Sequence, residues 1–219
     1  MMKPLNTTDD LDLDVTSIGL TGVDAELEAN IRASLRIRNE PCNTPLLRLE
    51  RLLPQIQRQL REAAMHEPDP VLRENFITRV YAYARWQELL SAGLTRHSII
   101  AFHSSYKYQL MANHPQQYRE LGRMLGNLGK QDPAVVGPQY FSLLMSALKK
   151  TATRRTHTNV LKHLTGYLRP NLSDDERSEI HQVIQQYREG IVPLVVPITL
   201  LKHHFRRNPQ PYIALQAYM

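Results

Sequence analysis

A single cysteine, Cys42, is the chain's whole supply of thiol chemistry. It permits no internal disulfide, no thiolate zinc site and no cysteine-held iron–sulfur cluster within one chain. No run approaches the roughly 18 apolar residues that a membrane-spanning helix requires, so no membrane association is expected. Met1 to Leu20 is acidic and polar, without the basic start and apolar stretch of a secretory signal peptide, and the cytoplasm is the expected compartment. No segment alternates apolar and polar residues as a half-buried strand would. A GxxxxGK[ST] phosphate loop, a GxSxG elbow and an HExxH pair are also absent. Catalysis therefore lacks an obvious agent, and neither a cofactor nor a metal is expected.

What is present suits an ordinary globular chain of 219 residues, 42% apolar and 22% charged. The formal charge of +6 hides an asymmetry. Residues 1–50 hold 5 Lys and Arg against 9 Asp and Glu, residues 51–95 hold 6 against 5, and residues 96–219 hold 16 against 7. Eight of the nine histidines and eight of the ten tyrosines fall in that last, cationic stretch. Cations that meet phosphates and tyrosines that stack on bases suit a nucleic-acid partner.

Apolar residues recur at three and four, which predicts an all-α fold: a single compact helical domain with an N-terminal helical extension and an acidic flexible tail. Residues 1–22, with four aspartates between Asp9 and Asp14, form the tail, residues 23–70 the extension and residues 71–219 the domain. In the extension, Leu46, Leu49, Leu53, Ile56, Leu60 and Ala63 make a short heptad seam interrupted by Pro54. The seam suits intramolecular packing or a homodimer through residues 46–63. Asp69 and Pro70 cap a helix through about Ser91, closed by Gly93. Further helices are expected from Thr95 to about Ala112, from Tyr118 to Gly129, and from about Gln139 to Thr151 after a Pro/Gly loop around Asp132 to Pro138. Ser173 with Glu176 opens another, which ends at Gly190, and the last runs from near Pro197 to Asn208.

Arg154 to Leu168 reads RRTHTNVLKHLTGYL. On a helical wheel Val160, Leu161, Leu164 and Leu168 gather within about 100 degrees, and Arg155, Asn159, Lys162, His163 and Gly166 lie opposite within about 100 degrees. Arg154 and His157 stand near the start. Two cations, an amide and an imidazole on one face are what phosphate and base-edge contacts need. A solvated polar face with one buried asparagine is the alternative. In SIIAFHSSYKYQLMA, the stripe of Ile99, Ile100, Tyr106, Leu110 and Met111 also contains His103 and Lys107, one turn apart. A lysine there either snorkels to water or lines a polar cleft. In LLKHHFRRN, Lys202, His203, His204, Arg206 and Arg207 crowd the end of one helix, where the helix dipole also favours cations.

These residues carry a resemblance. FHSSYKYQLMANHPQQYRELG (102–122), HTNVLKHLTGYLRPNLSDDER (157–177), YREGIVPLVVPITLLKHHF (187–205) and the terminal Gln216 and Tyr218 resemble the YbgA-like domain family over about residues 73–219. ENFITRVYAYARW (74–86) is similar to the joint that precedes the domain in two-domain relatives. In those relatives the domain follows a catalytic domain whose cysteines hold a four-iron cluster, and the pair removes sulfur from thiouracil or from thiolated uridines in tRNA. The YbgA-like half is taken to bind the RNA, and stand-alone members, often encoded beside a DNA photolyase, have no settled activity. The resemblance carries over His103, Lys107, Tyr118, Arg119, His157, Asn159, His163, Tyr187 and Arg188. The family tends to place a histidine where this chain has Asn113, and here His114 follows one position later. Residues 1–70 do not resemble the catalytic domain.

The reading that results is a non-catalytic module for structured RNA such as tRNA, working alone or beside a separate enzyme. Its anion-binding surface draws on His103, Lys107, Tyr118, Arg119, Arg154, Arg155, His157, Asn159, Lys162, His163, Tyr187, Arg188, Lys202, His203 and Arg206. The alternatives are a small enzyme acting on a nucleotide or other anion in a cleft lined by His103, Lys107 and His163, and a helical adaptor using the leucine seam.

Overall fold

The computed structural model describes residues 69–219, so the acidic tail, most of the extension and the leucine seam lie outside the described residues. The chain divides into two compact units, residues 1–92 and 93–219. Of the first unit one helix is described, α1 (Pro70–Ala92). Asp69 Oδ1 accepts the Val71 N–H at 2.8 Å, and Gly93 ends the helix at a φ of +86°, a left-handed conformation natural to glycine. Among the described residues no helix is long and apolar enough to cross a membrane.

The second unit is all-α. It runs α2 (Arg96–Ser105), α3 (Lys107–Asn113), α4 (Pro115–Gly126), α5 (Pro133–Lys149), α6 (Arg154–Leu168), α7 (Asp174–Glu189), α8 (Val195–Arg207) and the single turn α9 (Pro211–Ala214), with short 3-10 turns after α4 and α6. α3 is the hinge of the packing: it touches α4 and α5 on one side and α6 on the other. α6 in turn packs against α7 and α8. The core around α6 joins Tyr108 and Ala112 of α3 to Val160, Leu161, Leu164 and Leu168, to Ile180, Ile184 and Tyr187 of α7, and to Leu201 and Ile213. Full burial of each aliphatic side chain contributes about 1.5–3 kcal/mol.

Several ends follow their local signals. Thr153 and Ser173 both make capping boxes, with Thr156 and Glu176 three residues on. Gly190 closes α7 at a φ of +86°. Three expectations are corrected. The helix from Thr95 to Ala112 is broken at Tyr106, where φ is −97° and ψ is 4°, and α3 sets off from there. Tyr106 is wholly buried, its ring 4.8 Å from that of Phe102, so tertiary packing overrides helix continuity. Ile100, expected on the apolar stripe, is 49% exposed. The Pro/Gly loop is also helical: Asp132 Oδ1 accepts the Ala134 N–H at 2.9 Å, Pro133 takes the first position, and α5 continues through Pro138. Burial of Val136, Tyr140, Leu144 and Leu148 outweighs the one backbone hydrogen bond that Pro138 removes.

After α8 the chain returns as a strap. The Ala217 N–H donates to the Ser105 carbonyl at 2.9 Å, and Gln216 Nε2 donates to the carbonyls of Ser104 at 3.0 Å and Tyr212 at 3.3 Å.

Candidate functional site

The polar residues of α6 divide into an outward group and an inward group. Val160, Leu161, Leu164 and Leu168 are wholly buried, as the wheel requires. Opposite them Arg155, Asn159, Lys162 and His163 are exposed, and Gly166 opens onto free space with nothing within 4 Å of where a Cβ would stand. Asn159 is thus not the buried asparagine of the alternative reading. Buried polar groups on this helix are instead Thr158 and Thr165, whose hydroxyls donate to the Arg154 and Leu161 carbonyls at 2.7 and 2.9 Å.

Arg154 and His157 turn toward α7 and the strap, His157 partly buried and Arg154 still exposed. An Arg154 Nη donates to the Tyr187 carbonyl at 3.1 Å, and the guanidinium lies 5.5 Å from the centre of that residue's ring. His157 Nδ1 bonds the Tyr218 hydroxyl at 2.7 Å, and its ring meets that of Tyr187 edge-on at 6.3 Å. Burial lowers the His157 imidazole to about 4, so it is neutral at pH 7. Burial also raises the phenols of Tyr218 and Tyr187, the latter held back by Arg154. This group knits α6, α7 and the strap together.

At the α2–α3 junction, His103 and Lys107 face different neighbours. His103 stacks on Tyr118 with ring centres 5.7 Å apart, and its Nδ1 lies 3.2 Å from the Tyr140 hydroxyl. Burial lowers it to about 4. Lys107 Nζ lies 5.2 Å from the ring centre of Tyr108 and 5.9 Å from that of Tyr212. Tyr108 donates its hydroxyl to that of Tyr167 at 3.2 Å, and Tyr167 stacks against Tyr212 at 6.0 Å. Arg119 is exposed. Among the described residues no hydrogen bond or ring contact joins His163 to His103 or Lys107.

Lys202, His203 and Arg206 of α8 and Arg188 of α7 are exposed. His204, on the other side of α8, is 3% exposed, and its Nδ1 lies 4.0 Å from Glu176, which Arg207 reaches at 3.1 Å. A hydrogen bond from the Ser173 backbone N–H, chiefly, holds Glu176 below the usual carboxylate range. α2, α3, α6, α8 and α9 contain no Asp or Glu. The acids of α7 are five of the seven in residues 93–219, against 16 Lys and Arg. Among the described residues no three His, Cys, Asp or Glu are grouped to hold a metal.

Sequence reasoning missed the tyrosines at 108, 140, 167 and 212 as surroundings for His103 and Lys107, and the part of Asn113. The only signal was the crowding of tyrosine in the cationic stretch. Asn113 is buried and donates its amide to the carbonyls of Leu148 at 3.3 Å and Lys150 at 2.6 Å, while its oxygen accepts from Gln109. His114 caps α4 by accepting the Gln117 N–H. Asn113 and His114 thus both serve the scaffold.

No solved structure matches the chain. The uncharacterized protein YbgA of Escherichia coli (strain K12) is 32% identical over 146 residues, which cover 66% of this chain and 86% of that one. A family model described as a protein of unknown function (DUF1722) matches residues 107–219, from the start of α3 to the strap. By that match and that identity, the chain belongs to the YbgA-like family.

Proposed function

We propose that this protein is a helical module that binds structured RNA, with tRNA the fitting class, and that the outer face of α6 is its principal contact. One observation carries the reading: Arg155, Asn159, Lys162 and His163 share the exposed side of a helix whose other side is locked in the core. Such a face presents cations, an amide and an imidazole at fixed spacing without first breaking internal pairs. Phosphate contacts would position the RNA, and Asn159 and His163 would meet base edges or sugars. The near absence of acid outside α7 within residues 93–219 supports it, because unopposed cations raise the local concentration of a polyanion. The chain would act alone or beside a separate enzyme.

The geometry speaks less for an enzyme with a cleft lined by His103, Lys107 and His163. His163 stands on the exposed face of α6, and among the described residues no hydrogen bond or ring contact joins it to the other two.

An anisotropy titration with tRNA at two salt concentrations tests the proposal. Affinity should fall steeply as salt rises, and Arg155→Ala with Lys162→Ala should flatten the salt slope by about two contacts. The reading fails if the parent does not bind at low salt or if the double variant binds as the parent does.

A further inference from the structure

Lys107 carries a charge that its surroundings do not answer. It is half-buried, and its ammonium lies against the rings of Tyr108 and Tyr212. Among the described residues no carboxylate pairs with it. The elements that supply its neighbours, α3, α6 and α9, hold no Asp or Glu, and neither does α2 before them. A lysine drawn partly out of water without an opposite charge favours an incoming anion.

The polar groups beside it are of one kind. Tyr108 spends its hydroxyl proton on the oxygen of Tyr167, which leaves the Tyr167 proton free to be donated. Burial raises the Tyr108 phenol, so its proton stays in that bond. Lys107 adds three N–H donors. A carboxylate-free pairing of an ammonium with a phenolic O–H matches a ligand with several acceptor oxygens and negative charge. The cluster is also held ready: Tyr212 stacks on Tyr167, and Gln216 grips the Tyr212 carbonyl from the strap. Preorganised donors lose little freedom when the ligand arrives.

We infer that Lys107, with the Tyr167 hydroxyl that Tyr108 holds in place and the Tyr212 ring behind them, is a seat for a single phosphate group. It is a contact point separate from the outer face of α6. It rests on the RNA reading only for the source of the phosphate, which is either the backbone of a bound RNA or a free nucleotide.

The test uses the full chain with its tyrosine rings labelled for NMR, titrated with inorganic phosphate, with a 5′-mononucleotide, and with sodium chloride at matched ionic strength. Phosphate should shift the Tyr167 and Tyr212 ring signals saturably, and chloride should leave them in place. Lys107→Met, which keeps the apolar stem, should weaken the phosphate response at least tenfold. Tyr167→Phe, which removes one outward donor and little packing, should weaken it severalfold and stands in should Lys107→Met not fold. A mononucleotide that binds more tightly than phosphate identifies a free nucleotide as the source. Equal affinity, with tRNA binding weakened in Lys107→Met, identifies the RNA backbone. The seat is overturned if the rings do not respond in the parent, if chloride moves them equally, or if Lys107→Met or, should that variant not fold, Tyr167→Phe titrates as the parent does. Should tRNA fail to bind while the rings respond to phosphate, the α6 reading falls and the seat stands. The converse result removes the seat alone.

Discussion

The Nδ1 atom of His157 and the phenolic oxygen of Tyr218, 61 positions apart in the chain, are joined by a 2.7 Å hydrogen bond. That bond fastens the strap to α6, beside the arginine and tyrosine that already tie α6 to α7. Tyr218→Phe keeps the ring and removes the bond, and should cost about 1 kcal/mol. Tyr218→Ala also removes the packing and should cost about 3 kcal/mol or more. Urea denaturation of the two variants checks the order, and a Tyr218→Phe midpoint equal to the parent's would show that the hydroxyl contributes nothing.

Two neutral histidines give the fold a pH dependence. His103 and His157 are lowered from 6.5 to about 4, in both cases by burial. Between those values the unfolded chain binds more protons than the folded one. Stability is therefore full above about pH 6.5 and is lost as pH falls toward about 4, by at most about 3 kcal/mol for each group. Denaturation midpoints measured from about pH 7.5 down to about pH 4.5 should decline throughout the lower half. A flat profile, or imidazole signals that titrate near 6.5, would contradict the burial argument.

Two glycines should respond in opposite directions. Gly166 sits in an exposed helix interior with open space around it, so Gly166→Ala should stabilise by about 0.5–1 kcal/mol. Gly190 has a φ of +86°, and Gly190→Ala should destabilise by about 1 kcal/mol through backbone strain, since its Cβ would meet only Arg154 at an ordinary 3.7 Å. If the outer face of α6 meets RNA closely, Gly166→Ala should also weaken tRNA binding while it raises the melting temperature. A variant that is more stable and binds as before would move the contact away from Gly166.

Asn113 closes the end of α5 by donating to the Leu148 and Lys150 carbonyls. Asn113→Ala should cost about 1–2 kcal/mol, because it removes two hydrogen bonds made by a buried amide. Asn113→His restores one N–H and should lose about half as much. Unchanged stability in the alanine variant would mean that water replaces the amide there.

Much of the fold was legible because its signals are local. The limits of α6 could be read from Thr153 and the apolar spacing, and those of α7 from Ser173, Glu176 and Gly190, since a cap and a helical period are set by residues within four positions. The break at Tyr106 was not legible, because no proline or glycine marks it; the ring's place in the core imposes it. The helical turn over Val136 to Pro138 was hidden for the opposite reason, since Gly137 and Pro138 signal a loop that the core overrides.

The candidate site divides along the same line. From the sequence alone came the family, the all-helical class, the cationic half and the set of polar residues on α6, all of which depend on composition and neighbouring positions. Only the tertiary structure decided that Arg155, Asn159, Lys162 and His163 face water while Arg154 and His157 turn to α7 and the strap, and that His103 and Lys107, one turn apart, keep different company. Burial and pairing are set by groups brought close from 33 to 112 positions away. No helical period within one segment contains that information, because the free energy of each polar side chain depends on what packs beside it.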